Sequence, residues 1–162
     1  DLGVSSLQLD DGGRGFAYHS CYNTRVAMVA DVAVARSAIK VGRIVAAVDC
    51  GVVVNLSGAY QQVKGGIIDG LGHAFYGEVT LKDGIPNQQN FNTYRLIRIN
   101  EIPAVEVHFV DSAINPTGLG EPALPPAAAA FANAFFKATG KRLYNQPFMK
   151  EEAMKGVRFG VK

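Results

Sequence analysis

The chain has 162 residues, 48% hydrophobic and 19% charged, with a formal net charge of +2. Such a balance excludes a disordered chain, and +2 gives no concentrated basic face of the kind nucleic-acid binders carry. No apolar run of about 18 residues marks a transmembrane helix, and Asp1 to Asp10 has neither the basic start nor the apolar block of a signal peptide. One domain over 1–162 is expected, with 1–12 and 149–162 peripheral.

In chain order, residues 15–22 alternate weakly and predict a strand after the Asp10-Asp11-Gly12-Gly13 turn signal. Residues 25–34 predict a second strand, with Val26, Met28, Ala30, Val32 and Val34 on one face. A third covers 41–48, entered through Gly42 and closed by Asp49-Cys50-Gly51. The period then changes. Asn55 or Ser57 can cap a helix over 58–76, whose inward stripe is Val63, Ile67, Leu71, Ala74 and Phe75. Gly65, Gly66, Gly70 and Gly72 stand against it, because each costs about 1 kcal/mol relative to Ala in a helix interior. Close packing through small residues and a ligand lying on the helix both account for them.

Asp83-Gly84 predicts a hairpin turn, and 94–99 and 105–110 predict two more strands. Residues 126–138 predict a second helix, with Pro126 as its first residue. Phe131, Ala134 and Phe135 face its core side, Lys137 and Lys141 complement its dipole, and Gly140 is its C-cap. The segment 148–162 is charged and reads as peripheral. Together these elements give an α+β fold: an antiparallel or mixed sheet with two main helices.

Few residues carry chemistry. Cys21 and Cys50 form no C-x-x-C and read as structural thiols. His19, His73 and His108 are isolated, so no metal ligand set is expected. Nucleophile elbow, P-loop and dinucleotide fingerprint are all missing, and neither Ser57 nor Ser112 has a base beside it. What stands out is Gly118-Leu119-Gly120-Glu121-Pro122, followed by Ala123-Leu124-Pro125-Pro126. The glycines allow close approach of a ligand, and Pro122 biases Glu121 to an extended backbone just before a helix. Glu121 is the best lone candidate for a general base or acid, with Gln61 and Gln62 as hydrogen-bond donors to a ligand. An incidental Glu at a helix entry fits these five residues equally. A carboxylate-dependent hydrolase pairing Glu121 with Asp111 or Asp49 has no spacing in its favour.

Five ordered segments extend this picture. Asp49-Cys50-Gly51 with Asn55, Gln62 through Gly72, Asn90-Phe91-Asn92-Thr93-Tyr94-Arg95-Leu96, Gly118 through Pro126, and Ala132-Asn133-Ala134 with Ala138 through Arg142 follow one another here. The set resembles the C-terminal part of molybdenum hydroxylase large subunits, the xanthine oxidase and aldehyde oxidoreductase family, in its isoquinoline 1-oxidoreductase beta-subunit type. The resemblance covers 13–148. It departs at Leu56, where proline is common, and at Asp69, where glutamine is frequent.

The resemblance implies a subdomain of the molybdopterin-binding region and an oxidoreductase that hydroxylates an aldehyde or N-heteroaromatic substrate with water-derived oxygen. It implies that Glu121 is the general base beside molybdenum. Gln62 would bond the pterin, Gly65, Gly66 and Gly70 would admit the cofactor or an adjoining loop, and Gly118 and Gly120 would line the cofactor, a molybdopterin cytosine dinucleotide. Arg95 and Asn133 would be structural. Family large subunits are several times longer, which implies a piece that is inactive alone and holds no cofactor by itself. Its partners would be the remainder of the large subunit, a small [2Fe-2S] subunit and a small-molecule substrate. Both bacterial cytoplasm and periplasm are compatible with the family.

Overall fold

A computed structural model describes residues 12–35, 38–155 and 158–159. The sheet starts with three long antiparallel strands, β1 (Gly12–Cys21), β2 (Thr24–Ala35) and β3 (Ala38–Asp49). The alternation read in the second strand holds: Val26, Met28, Ala30 and Val32 are fully buried and face Ile44, Ala46 and Val48 of the core. Gly42 is not the entry to β3. It is the extra residue of a bulge, because Asp31 pairs with Arg43 and Val32 with Val41.

From β3 the chain crosses through α1 (Leu56–Tyr76) and the small β4 (Leu81–Lys82) and β5 (Ile85–Pro86) hairpin, then returns as β6 (Ala104–Phe109). β6 pairs with β3 in parallel, as a crossover connection allows, so the sheet is mixed. Asn55 caps α1, its side-chain oxygen accepting from the Gly58 N–H at 2.9 Å. The inward stripe Val63, Ile67, Leu71, Ala74 and Phe75 is fully buried.

α2 (Pro125–Thr139) lies across β1 and β2. It opens with Pro125, one residue earlier than expected, and ends at Gly140 in the left-handed region, φ 70°. Phe131 meets Phe75 edge-on with centroids 4.6 Å apart, and Phe148 joins both rings at about 6 Å. Phe148 and Met154 are therefore core residues, and the segment expected to be peripheral is buried at these two points. β7 (Arg158–Phe159) pairs with the start of β3. The rest of the expected tails, 1–11, 156–157 and 160–162, lies outside the described residues.

Residues 94–99 do not form the expected strand. Their alternating charges make side-chain ties instead of a ladder. The Arg95 guanidinium stacks 3.9 Å over the Tyr76 ring and donates to Glu101, while the Tyr94 hydroxyl lies 3.3 Å from His73 Nδ1. Glu101 is buried and also accepts from the Tyr76 hydroxyl at 2.6 Å and from the Arg98 N–H at 2.6 Å. Burial, and then the bond to Glu101, push the Tyr76 hydroxyl up to about 12. Glu101→Ala leaves three donors without their carboxylate and is expected to cost about 2 kcal/mol, discounted for the half-exposed Arg95. A shift in the chemical denaturation midpoint measures it.

Candidate functional site

Three segments converge around Glu121. The loop that carries it runs from the end of β6 to α2, and backbone bonds pin it along its length. Val52 donates to the Ile114 carbonyl at 3.0 Å, and Thr117 donates to the Cys50 carbonyl at 2.9 Å. This close contact requires a glycine at 51, with φ 72°, since a Cβ there would stand 2.3 Å from the Asn115 carbonyl. Asp49-Cys50-Gly51 therefore does more than close β3: it seats the Glu121 loop. Cys50 is buried, and that burial pushes its thiol up. Both cysteines are free.

The second segment is the tip of the β1–β2 hairpin. Thr24, fully buried, donates from its hydroxyl to the Gly118 carbonyl at 2.5 Å and lies 2.6 Å from the Thr117 hydroxyl. The Tyr22 hydroxyl donates to Glu121 Oε2 at 3.0 Å. That bond, with the nearby carboxylate charge, raises the Tyr22 pKa above the ordinary tyrosine value. An open cleft of about 620 Å³ lies along this tip, with Cys21, Arg25, Asn115 and Thr117 in its wall.

The third segment is the first half of α1. Gln62 Nε2 donates to the Gly120 carbonyl at 3.0 Å, so the residue before Glu121 is held from the helix side. The structure thus brings together Gln62, Gly118, Gly120 and Glu121. The helix glycines divide. Gly70 touches the start of α2, where a Cβ would stand 2.3 Å from the Leu124 carbonyl, and a Cβ on Gly72 would stand 3.3 Å from the Ile97 side chain. Close packing explains these two. A Cβ on Gly66 would meet Ala123 at an ordinary 3.6 Å, and one on Gly65 or Gly120 would meet nothing within 4 Å. Gly118 has a packing reason, since its Cβ would stand 2.6 Å from Tyr22 Cβ.

Gln62 and Glu121 are both exposed. α2 begins just after Glu121, and its positive end favours a nearby anion. Other acids are drawn elsewhere: Asp49 pairs with Arg25 at 3.1 Å, so Glu121 and Asp49 do not share a partner. His73 pairs with Asp69 at 3.6 Å and His108 with Glu106 at 3.9 Å. Among the described residues no cluster of three or more His, Cys, Asp or Glu forms a metal site. Asn133 donates to the Phe16 carbonyl at 2.9 Å, and Arg95 holds Glu101, so both tie elements together. Sequence reading passed over Tyr22 and Thr24, which stand 99 and 94 positions from the residues they bond.

A family model described as a molybdopterin cofactor-binding domain matches residues 8–103. A membrane-bound aldehyde dehydrogenase [pyrroloquinoline-quinone] of Gluconacetobacter polyoxogenes is 34% identical over 70% of this chain and 15% of its own. The isoquinoline 1-oxidoreductase subunit beta of Brevundimonas diminuta is 33% identical over 82% of this chain and 17% of its own. Among solved structures, the aldehyde oxidoreductase from Desulfovibrio desulfuricans superposes with a TM-score of 0.66 and 24% identity, over 83% of this chain and 16% of that one. This likeness carries the fold. The chain spans about a sixth of the length of these relatives. With the family match covering more than half its residues, the chain belongs to the molybdopterin cofactor-binding domain family, that of the molybdenum hydroxylase large subunits.

Proposed function

We propose that this chain forms one wall of a molybdopterin-dependent active site, in an enzyme that hydroxylates an aldehyde or N-heteroaromatic substrate with water-derived oxygen. Glu121 is the general base. The observation that carries this reading is the convergence on one loop: Gln62 of α1 bonds Gly120, the next residue is the exposed Glu121, and Gly65 and Gly120 border open space. These features fit a bulky pterin. Gln62 uses one amide hydrogen on Gly120, and its other N–H and its carbonyl are available to a ligand. Gly65 and Gly120 leave room that a Cβ would fill, Gly66 lies beside them in ordinary contact with Ala123, and Gly118 keeps the Tyr22 backbone close.

Molybdenum held by bound molybdopterin, as its cytosine dinucleotide, would supply the two-electron oxidation that no side chain here can perform, accepting the electron pair of the substrate C–H bond that breaks. Gln62 would orient the cofactor, the Gly118–Gly120 backbone would let it approach, and Glu121 would take up the proton of the water-derived oxygen as that oxygen bonds to the substrate carbon. The remainder of the large subunit and a small [2Fe-2S] subunit complete the assembly. The quinone in the name of the Gluconacetobacter relative is a different cofactor, and the family match favours the pterin. Glu121→Gln in the complete enzyme tests the base.

Gly65→Ala tests the cofactor face separately. In open space at a helical position, Ala is expected to raise stability by up to about 1 kcal/mol. A ligand-facing Gly65 predicts that the same variant loses molybdenum content, measured by metal analysis. Unchanged content together with raised stability would remove Gly65 from the cofactor site.

A second reading is a docking module without catalytic work of its own. It is favoured by the sheet face opposite α2, where Phe16 and Tyr18 are more than half exposed beside Ala27, Val29 and Val45. Metal analysis and an oxidation assay on the isolated chain discriminate: tight molybdenum binding would contradict the module reading. Among the described residues no helix is long and apolar enough to cross a membrane.

A further inference from the structure

We propose that Tyr22, at the tip of the β1–β2 hairpin, is a positioning residue that fixes which oxygen of Glu121 is free to take a proton. The inference rests on the reading of Glu121 as the base and adds a residue to it. Tyr22 is 63% exposed, so its ring contributes little to the core, yet the chain places it in the left-handed region at φ 51°, followed by Asn23 at φ 61°. Positive φ at both central residues is what a tight two-residue hairpin turn requires, and the turn presents the Tyr22 carbonyl and side chain beyond the last strand pair.

What lies beyond the turn is the Glu121 loop. Tyr22 makes two bonds to it, one from each end of the residue. Its backbone carbonyl accepts from the Gly118 N–H at 3.2 Å, and its hydroxyl donates to Glu121 Oε2 at 3.0 Å. Thr24, two residues on, bonds the Gly118 carbonyl. The absence of a Cβ at Gly118 lets the two backbones meet, since a Cβ there would stand 2.6 Å from that of Tyr22. With Gln62 holding Gly120 from the other side, three bonds anchor the backbone at Gly118 and Gly120, and one holds the Glu121 side chain.

A carboxylate is a useful base when one oxygen points at the proton to be removed. A single donor at Oε2 sets the rotation of the carboxylate and leaves Oε1 as the receiving atom. Without that donor the exposed carboxylate samples other rotations, and the productive one is populated less.

The experiment is Tyr22→Phe in the complete, cofactor-loaded enzyme, which keeps the ring and deletes the donor. Expected are a kcat lower by about tenfold per bound molybdenum, an unchanged KM, and a larger solvent isotope effect on kcat as proton transfer becomes more rate-limiting. A purely structural role would move stability or metal content instead. A second readout needs no turnover. In the cofactor-free full-length subunit labelled with ring-13C tyrosine, the Tyr22 hydroxyl titrates above the ordinary range, and Glu121→Gln returns it toward that range. A Y22F kcat within twofold of wild type, or a Tyr22 titration indifferent to E121Q, overturns the proposal. Wild-type turnover by E121Q instead sinks the reading of Glu121 as base.

Discussion

Glu121→Gln in the complete enzyme is expected to lower kcat by roughly 100- to 10,000-fold, the usual contribution of a positioned general base. The substitution is close to a pure chemical change. Glutamine has the shape of glutamate, and its carbonyl can still accept from the Tyr22 hydroxyl that reaches Glu121 Oε2 at 3.0 Å. The loop is held by contacts that do not involve the residue-121 side chain: Gln62 to the Gly120 carbonyl, Thr24 to the Gly118 carbonyl, Thr117 to the Cys50 carbonyl. Molybdenum content and KM are therefore expected to stay near wild type while turnover collapses. Metal analysis beside steady-state kinetics checks both halves. Retained turnover means that another group takes the proton. Lost metal means that Glu121 supports the cofactor and not the chemistry.

Helix α1 was legible in the sequence because its apolar residues recur at helical spacing over more than three turns, and α2 because Phe131, Ala134 and Phe135 share one face between a proline start and a glycine stop. The stripe from Val63 to Phe75 is fully buried. The strands were legible where one face is buried, as in Val26 through Val32. The pattern failed at 94–99, where charged and apolar residues alternate without a neighbouring strand. There the alternation serves Arg95 and Tyr94, whose partners lie on α1 and at Glu101. Glu121, Gln62 and the glycines could be singled out from local chemistry and resemblance. Their meeting could not, nor could the Tyr22 bond across 99 positions, because a hairpin tip shows its turn and not what it docks on. The helix glycines make the same point. Gly65 and Gly70 look alike in sequence, yet one borders open space and the other touches the Leu124 backbone.

The second large effect is expected at a position that carries no chemistry. In β1 a Cβ on Gly15 would stand 2.1 Å from the Ala134 nitrogen and 2.2 Å from the Ala130 carbonyl oxygen. Both are backbone atoms of α2, so no rotamer can relieve the clash. A Cβ on Gly13, one pleat earlier on the same face, would stand 2.0 Å from the Ala134 carbonyl oxygen. The helix sits directly on the strand because the strand has no side chains there. Gly15→Ala must lift α2, and with it Phe131 and Phe135, whose rings are almost fully buried. A cost of about 3 kcal/mol, the upper end for overpacked cores, is expected in chemical denaturation. The same lift reaches the site. α2 begins at Pro125, and the Leu124 N–H donates to the Glu121 carbonyl at 2.9 Å, so a displaced helix pulls on the loop that carries Glu121. Gly15→Ala should therefore lower turnover of whatever fraction stays folded, although residue 15 lies on the strand face under α2 and touches neither Glu121 nor Gln62. Wild-type stability in this variant would mean that α2 does not rest on β1 as closely as described.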